Sequence, residues 1–347
     1  MESEKIERKF EVSGPAHLNL ANISGSVDIQ AGEDSAILVS AVRGQGGDPE
    51  RTRIDMDQAA DGTVTVKTEY GDSFWNWFGQ RPSDVDYTVR VPANTSVHLR
   101  CVSSRGSVKG LTGQFDLNCV SGDLMLEDLS GTIKVNMVSG NLSGAGLSGT
   151  GNVETISGQV NLRGCSLESL KGSTVSGQVA LETQQVTGPY KFHSISGDVR
   201  LALPADARCT IECTSMSGRV VANLPVTHSE KRGQRRRLEL QGGGPEIHFD
   251  SISGNLEVSG SLKANGSLGV QAPVPVATMK DLGFAVDAPA GSGAPQAPVP
   301  PAPPPAPPEP SVSEQEVEAE ARARQDILDR VARGDLSVDQ AINMLRG

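Results

Sequence analysis

Large aromatic residues are nearly missing from this chain: Phe, Trp and Tyr make up 3% of its 347 residues, against 39 glycines. That excludes one broad core filled by rings and favours repeated units that bury small aliphatic side chains. Paired cysteine motifs are missing too. The five cysteines (Cys101, Cys119, Cys165, Cys209, Cys213) are odd in number and form no CxxC, which indicates neither a disulfide framework nor a zinc site. The five histidines are scattered without HxH or HExxH spacing, and no GxSxG, Walker or dinucleotide fingerprint occurs. No run of 18 or more apolar residues occurs, and Met1 to Arg8 lack the charged and apolar regions of a secretory leader. A cytoplasmic protein without a transmembrane segment is expected, with peripheral contact to the envelope allowed. Basic charge is in deficit, 31 Lys and Arg against 42 Asp and Glu for a net −11, so general binding of nucleic acid is not expected.

What the chain has instead is a period. Thr112, Ser121, Ser130, Ser139, Ser148 and Ser157 are each followed by Gly, nine residues apart, with an apolar residue before the pair and usually others three and five positions after its first member. Period-two alternation is strand patterning, and a glycine at fixed phase supplies the positive φ of a tight bend. Two such half-turns make one coil. The Ser of the stronger series falls at 103, 121, 139, 157, 176, 196, 217 and 253, so coils lengthen from 18 to 21 residues and a 36-residue gap precedes the last. This predicts an all-β, single-chain solenoid of coils about 18 residues long. The frame is laid once already at Ile23–Ile29. The residues before the Ser (Val102, Val120, Val138, Ile156, Val175, Ile195, Met216, Ile252) form an unbroken apolar column and are expected to be buried. Cys101 and Cys119, one coil apart, are expected to stack as small hydrophobes. Lys109 with Glu127, and Asp116 with Lys134, should meet on adjacent rungs.

Composition divides the chain into irregular β turns or a cap over residues 1–100, regular repeats over 101–262, a Pro-rich linker over 263–312 and a tail over 313–347. Thirteen prolines between Pro273 and Pro310 make the linker an extended, semi-rigid spacer, with PxxP recognition as the alternative. In the tail, Ser313 with Glu316 and Ser337 with Gln340 read as two capping boxes, and Gly334 as the stop between two helices. Ile327, Leu328, Val331, Leu336, Ala341, Ile342 and Leu345 give that hairpin one apolar face. It is too small to be stable alone, so it reads as an association module that packs on a second copy, on a protein partner or on its own solenoid.

Candidate interaction residues lie where the period breaks. Phe74, Trp75, Trp77 and Phe78 cluster in a Gly-flanked loop, read either as a plug over the open solenoid end or as a binding or membrane-interface loop. Lys231, Arg232, Arg235, Arg236 and Arg237 form the one dense basic run, read as a solvated loop or as a dock for an acidic or phosphorylated partner or an anionic lipid surface. The polar row after Ser-Gly (Asp123, Asn141, Gln159, Gln178, Asp198, Arg219, Asn255) places no two carboxylates at one phase on neighbouring rungs. Glycoside hydrolysis and a calcium ladder are thereby disfavoured. Neither a catalytic residue nor a cofactor or metal site is expected. The chain reads as a non-enzymatic scaffold, with a carbohydrate- or envelope-polymer-binding module as the alternative.

The units Val-Ser-Gly-Asp-Leu-Met-Leu and Ile-Ser-Gly-Asp-Val-Arg-Leu, preceded by Tyr87-Thr88-Val89-Arg90-Val91-Pro92, resemble the bacterial putative-adhesin β-strand-repeat family, a domain of unknown function, over roughly residues 8–260. The resemblance implies a single-chain β-solenoid, no known catalytic residues and a loose link to the cell envelope or its stress responses. The stretch from Ile327 to Ile342 resembles the short oligomerisation (SHOCT-like) hairpins that some members carry.

Overall fold

A computed structural model describes residues 4–12, 14–32, 35–44, 52–70 and 83–260; the linker, the tail and the 71–82 connection lie outside the described residues. The strands are laid down in three blocks. The first holds β1 (Lys5–Glu11), β2 (Ala16–Ala31), β3 (Ala36–Arg43), β4 (Thr52–Gln58), β5 (Val64–Tyr70) and β6 (Val85–Val91). The second is the regular run of β7 (Thr95–Lys109), β8 (Thr112–Ser121), β9 (Leu124–Glu127), β10 (Ser130–Ala145) and β11 (Ser148–Thr183). The third comprises β12 (Tyr190–Ser194), β13 (Asp198–Leu203), β14 (Cys209–Ser215), β15 (Val220–Ala222), β16 (Val226–Arg232), β17 (Arg235–Leu240), β18 (Glu246–Ser251) and β19 (Leu256–Gly260).

Each coil crosses from one parallel ladder to a second, and the apolar members of both alternations meet between them. The register is the one the period predicts. Ser130 pairs with Thr112 and Ser148, and Ser139 with Ser121 and Ser157. Interior columns follow from it: Leu18, Val97, Phe115 and Ile133 on one ladder, and Ile29, Val108 and Leu126 on the other, all at 2% exposure or less. Each fully buried Leu or Val of this kind stabilises by about 1.5–3 kcal/mol, so the columns, repeated rung after rung, hold the solenoid. Cys101 lies opposite Cys119, both with no exposed surface. Lys109 Nζ reaches Glu127 at 3.1 Å and Lys134 Nζ reaches Asp116 at 3.8 Å, as the 18-residue spacing requires. Exposed pairs such as these fix register more than they add stability.

The corners are where glycine is indispensable. At Gly140 φ is +123°, and a Cβ there would collide with the carbonyl oxygen of Gly122 on the rung below.

Both ends depart from simple stacking. β2 is the first complete rung, yet its neighbour is β7, with His17 opposite Ser96 and Asp28 opposite Ser107. The intervening strands fold outside it, β5 and β6 running parallel to its two halves, β4 antiparallel to β5, and β3 and then β1 antiparallel outside β6. A buried polar bridge ties the two ladders here: Tyr87 Oη lies 2.7 Å from Thr68 Oγ1, which donates to Asn22 Oδ1 at 3.2 Å, while Asn22 Nδ2 donates to the Val85 carbonyl at 2.9 Å. The outermost strand β1 carries Lys5–Glu7 and Lys9–Glu11 pairs, charges that discourage edge-to-edge pairing.

At the other end the sequence order fails. The 36-residue gap was expected to be a loop ahead of the last coil. Instead the last coil, β18 and β19, slots between the coil of β12–β13 and the coil of β14–β15: Phe249 pairs with both Phe192 and Cys213, and Leu256 with both Val199 and Val220. The intervening residues form the hairpin β16–β17, antiparallel outside β14. The chain is therefore a β-solenoid closed at each end by antiparallel strands.

Candidate functional site

The column Val102–Ile252 was expected to lie in the interior, and this is corrected by the structure. Val120 and Val138 are buried at 2% and 4% exposure, but Ile195, Ile252 and Met216 are 49%, 51% and 67% exposed, and Val102, Ile156 and Val175 are half-buried. The column runs along the outside of a corner. Its exposure rises toward the C-terminal rungs for a local reason. In the earlier coils the residue before the column is Cys119, Met137, Thr155 or Thr174; in the last three it is Ser194, Ser251 or Ser215. Each of these serines accepts a hydrogen bond from the glycine three residues on: Gly197 N–H at 2.8 Å, Gly254 at 2.6 Å and Gly218 at 2.8 Å. A Ser-x-Ser-Gly turn results, in which the side-chain hydroxyl holds the bend and the second residue stands outward. Because these three rungs are spatial neighbours, Ile195, Ile252 and Met216 form a continuous apolar ridge.

Beside the ridge runs a polar ladder on the outward face of the first sheet: Asn136, Glu154, Ser173, His193, Asp250 and Thr214. Ridge and ladder bound a groove of about 510 Å³ whose lining includes Val138, Ile156, Val175, Ile195 and Ile252. At its centre His193 Nδ1 lies 3.5 Å from Asp250 Oδ2. Toward the start of the ladder Asn136 Nδ2 donates to Asn118 Oδ1 at 2.9 Å, both residues being buried. Thr174, at 6% exposure, lines the groove with a hydroxyl that has no partner among the described residues. The groove thus offers one greasy wall and one hydrogen-bonding wall with carboxylates at Glu154 and Asp250. No trio of His, Cys, Asp or Glu positioned to hold a metal occurs among the described residues.

The second sheet bears a different surface. Ser26, Asp28, Arg105, Ser107, Asn141 and Asn161 contribute to a shallow depression of about 560 Å³, and Asp28 Oδ1 and Ser107 Oγ there lack protein partners among the described residues. Along its rim Asp123 Oδ1 accepts from both N–H and Nδ2 of Asn141, and further along the solenoid Asp198 Oδ1 does the same for Asn255. The polar row after Ser-Gly is therefore a hydrogen-bonded ladder between rungs.

The basic run is not an unstructured loop. Lys231 and Arg232 end β16 and Arg235, Arg236 and Arg237 begin β17, on either side of a turn at Gly233 with φ +59°. Most of this charge is answered internally. Glu212 of β14 receives Arg237 Nη1 at 2.9 Å, Arg235 Nη2 at 3.8 Å and His248 Nδ1 at 3.6 Å; Arg232 pairs with Glu230 at 2.6 Å, and Arg236 Nη1 donates to the Val220 carbonyl at 3.1 Å. These arginines fasten the hairpin to the end of the solenoid. Phe74, Trp75, Trp77 and Phe78 belong to the β5–β6 connection and lie outside the described residues, as do Ile327, Leu328, Val331, Leu336, Ile342 and Leu345. All five thiols are buried, and burial raises their pKa, to about 11 for Cys101 and Cys209 and about 12 for Cys213, so none is a poised nucleophile.

The ridge and its groove were missed in the sequence because an apolar column looks the same whether it faces in or out. The distinguishing signal was present: Ser-Ile-Ser-Gly twice and Ser-Met-Ser-Gly once, where earlier coils have Cys, Met or Thr in place of the first Ser. Among the described residues no helix is long and apolar enough to cross a membrane.

Comparison with solved structures finds a putative cell adhesion protein from Clostridium sporogenes (13% identity, 75% of this chain and all of that one, TM-score 0.24). It also finds a putative adhesin from Bacteroides fragilis (9%, 74% and 97%, TM-score 0.41) and a putative lipid binding protein from Parabacteroides distasonis (14%, 73% and 96%, TM-score 0.35). No curated protein matches the chain. The Toastrack DUF4097 description matches residues 16–259, from the first strand of the first complete rung to the last residues of β19, and the chain belongs to that family.

Proposed function

We propose that this protein is a non-enzymatic, adhesin-like scaffold: a β-solenoid that presents a docking surface and is joined through the Pro-rich spacer to a C-terminal association module. The observation that carries the reading is the ridge. Three adjacent rungs spend a serine each on holding a large apolar side chain in solvent, which is a feature of interaction surfaces rather than of stacking. The tail sequence supports it from the other side, since a hairpin with the apolar face expected from Ile327, Leu328 and Val331 requires a cover. A cytoplasmic setting with peripheral contact to the envelope, a protein partner or self-association through the hairpin, and a place in envelope stress belong to the same proposal, as does the SHOCT-like character of the tail. Removal of residues 313–347 tests it: a change in mass in solution or in the set of co-purified partners is expected, and no change in either refutes the association role.

A second reading, a carbohydrate- or envelope-polymer-binding module, is favoured by the unpartnered Asp28 and Ser107 oxygens in the polar depression and by the aromatic sequence around Trp75 and Trp77. Replacing both tryptophans with Ala is expected to abolish binding to cell-wall glycan while leaving the fold intact. Absence of binding by the unaltered protein eliminates this reading.

A further inference from the structure

We propose that the corner groove is the docking site of this chain's own C-terminal segment, residues 313–347, folded back onto its own solenoid. The inference rests on the reading of that segment as an association module and names what it associates with.

Four observations converge on this occupant. The first is dimension. From Ile156 through Val175, Ile195 and Ile252 to Met216 the ridge crosses five rungs, about 19 Å at the spacing of paired strands. A helix rising about 1.5 Å per residue covers that in about thirteen residues. The thirteen residues 321–333, with Ala321, Leu328 and Val331 at helical spacing and Ile327 beside them, are a stretch of that size.

The second is chemistry. The groove pairs an apolar wall with carboxylates at Glu154 and Asp250. The segment between 322 and 333 pairs Ile327, Leu328 and Val331 with Arg322, Arg324, Arg330 and Arg333, four cations against Asp326 and Asp329 in an otherwise acidic chain. An amphipathic helix of this composition satisfies both walls at once, the mode of a helix laid in a groove.

The third is what the groove lacks. Among the described residues its lining holds no Trp, Tyr or Phe on which a sugar ring stacks, whereas aliphatic ridges accept Ile, Leu and Val directly. The fourth is connection. The last described strand ends at Gly260 in the coil that supplies Ile252, and residues 261–312 join it to the tail. At about 3 Å per residue a tether of that length reaches well beyond the groove, and it keeps the tail in the neighbourhood of its own solenoid, which favours the attached copy over a free one.

The test is proximity cross-linking in the full chain, made clean by the burial of all five native thiols. Cysteines are introduced as Ile195→Cys with Leu328→Cys and, for reference, as Arg163→Cys with Leu328→Cys, Arg163 being exposed on the opposite sheet. Mild oxidation followed by intact mass is expected to give an internally cross-linked monomer at least tenfold faster for the Ile195 pair than for the Arg163 pair. Adding Val331→Asp is expected to remove that advantage. Equal rates from the two sites, or a product mainly of dimer mass, overturns the proposal, the latter by placing the tail on a second copy. Binding of the full chain to phosphatidylglycerol vesicles that Ile252→Asp abolishes, without an internal cross-link, overturns it in favour of a lipid surface. If tail removal alters the co-purified partners while the cross-linking rates are equal, the association role stands and groove docking alone falls.

Discussion

Gly140→Ala and Gly164→Ala separate the two demands that the corners make on glycine. At Gly164 φ is +58° and a Cβ would meet nothing within 4 Å, so the substitution carries only the left-handed backbone penalty of about 1–2 kcal/mol. At Gly140 φ is +123°, outside the left-handed well that other residues can visit, and the added Cβ strikes the Gly122 carbonyl on the adjacent rung. Neither group can rotate away, since both belong to backbone. The rung must lift or the corner must flatten, so the cost is about 3 kcal/mol or more, the strain of a forbidden conformation plus weakened ladder bonds between Ser139–Leu142 and Ser121–Leu124 on the rung below. A kcal/mol shifts the midpoint of a domain this size by about 2–4 °C, so Gly164→Ala is expected to lower it by about 2–8 °C and Gly140→Ala, in the same protein, by about 6–12 °C or more. Thermal unfolding followed by the strand signal in far-ultraviolet circular dichroism reads both. Equal shifts would refute the claim that corner glycines are set by the spacing between rungs rather than by φ alone.

Four further outcomes follow from other parts of the molecule. Native protein at pH 8 is expected to leave maleimide unconsumed, and to consume five equivalents once unfolded, because every thiol is buried. The folded thiols have raised pKa, so in the unfolded chain they ionise first; stability is full below about pH 8.5 and falls as pH rises toward about 11 to 12, by up to about 1.4 kcal/mol per unit per thiol, which urea unfolding at pH 8 and pH 10 measures. Asn136→Ala leaves the buried Asn118 side-chain oxygen without its donor and is expected to cost about 1–3 kcal/mol in the same assay, whereas substitution of the half-buried Asn161, whose oxygen accepts from the exposed Arg163, costs less. Glu212→Gln removes the shared anchor of Arg235, Arg237 and His248, so amide exchange in Val226–Leu240 should rise while that in Thr95–Ala145 stays unchanged.

The regular middle of the fold was legible because parallel in-register stacking turns a sequence interval into a spatial one. Residues 18 apart touch, so Lys109 with Glu127, Lys134 with Asp116, and Cys101 with Cys119 could be paired in advance. The C-terminal coils were less legible because their patterns are interchangeable. The coil at 246–260 fits above 190–203 as well as the coil at 209–222 does, and only the hairpin's length and its pairing with β14 decide. The site suffered from a related degeneracy. Hydrophobicity marks which column a residue joins, but whether the corner residue turns in or out depends on a single hydroxyl at Ser194, Ser215 or Ser251. The ion pairs of the basic run were not legible for another reason, since partners such as Glu212 are brought in by the fold rather than by adjacency.

The insertion of the final coil between its two predecessors also bears on how the molecule can be made and lengthened. Chain emerging in order lays down residues 209–215 before the strand they must pair with exists, so that end cannot be completed vectorially and closes only when residues 246–260 arrive. The last-synthesised rung becomes an interior one, and fraying from the C-terminal strand requires opening a coil held on both sides. By the same topology, duplication of a coil can extend the solenoid only within the stretch from 95 to 183, where sequence order and spatial order coincide. Growth at the C-terminal end would break the interleaving that seals it.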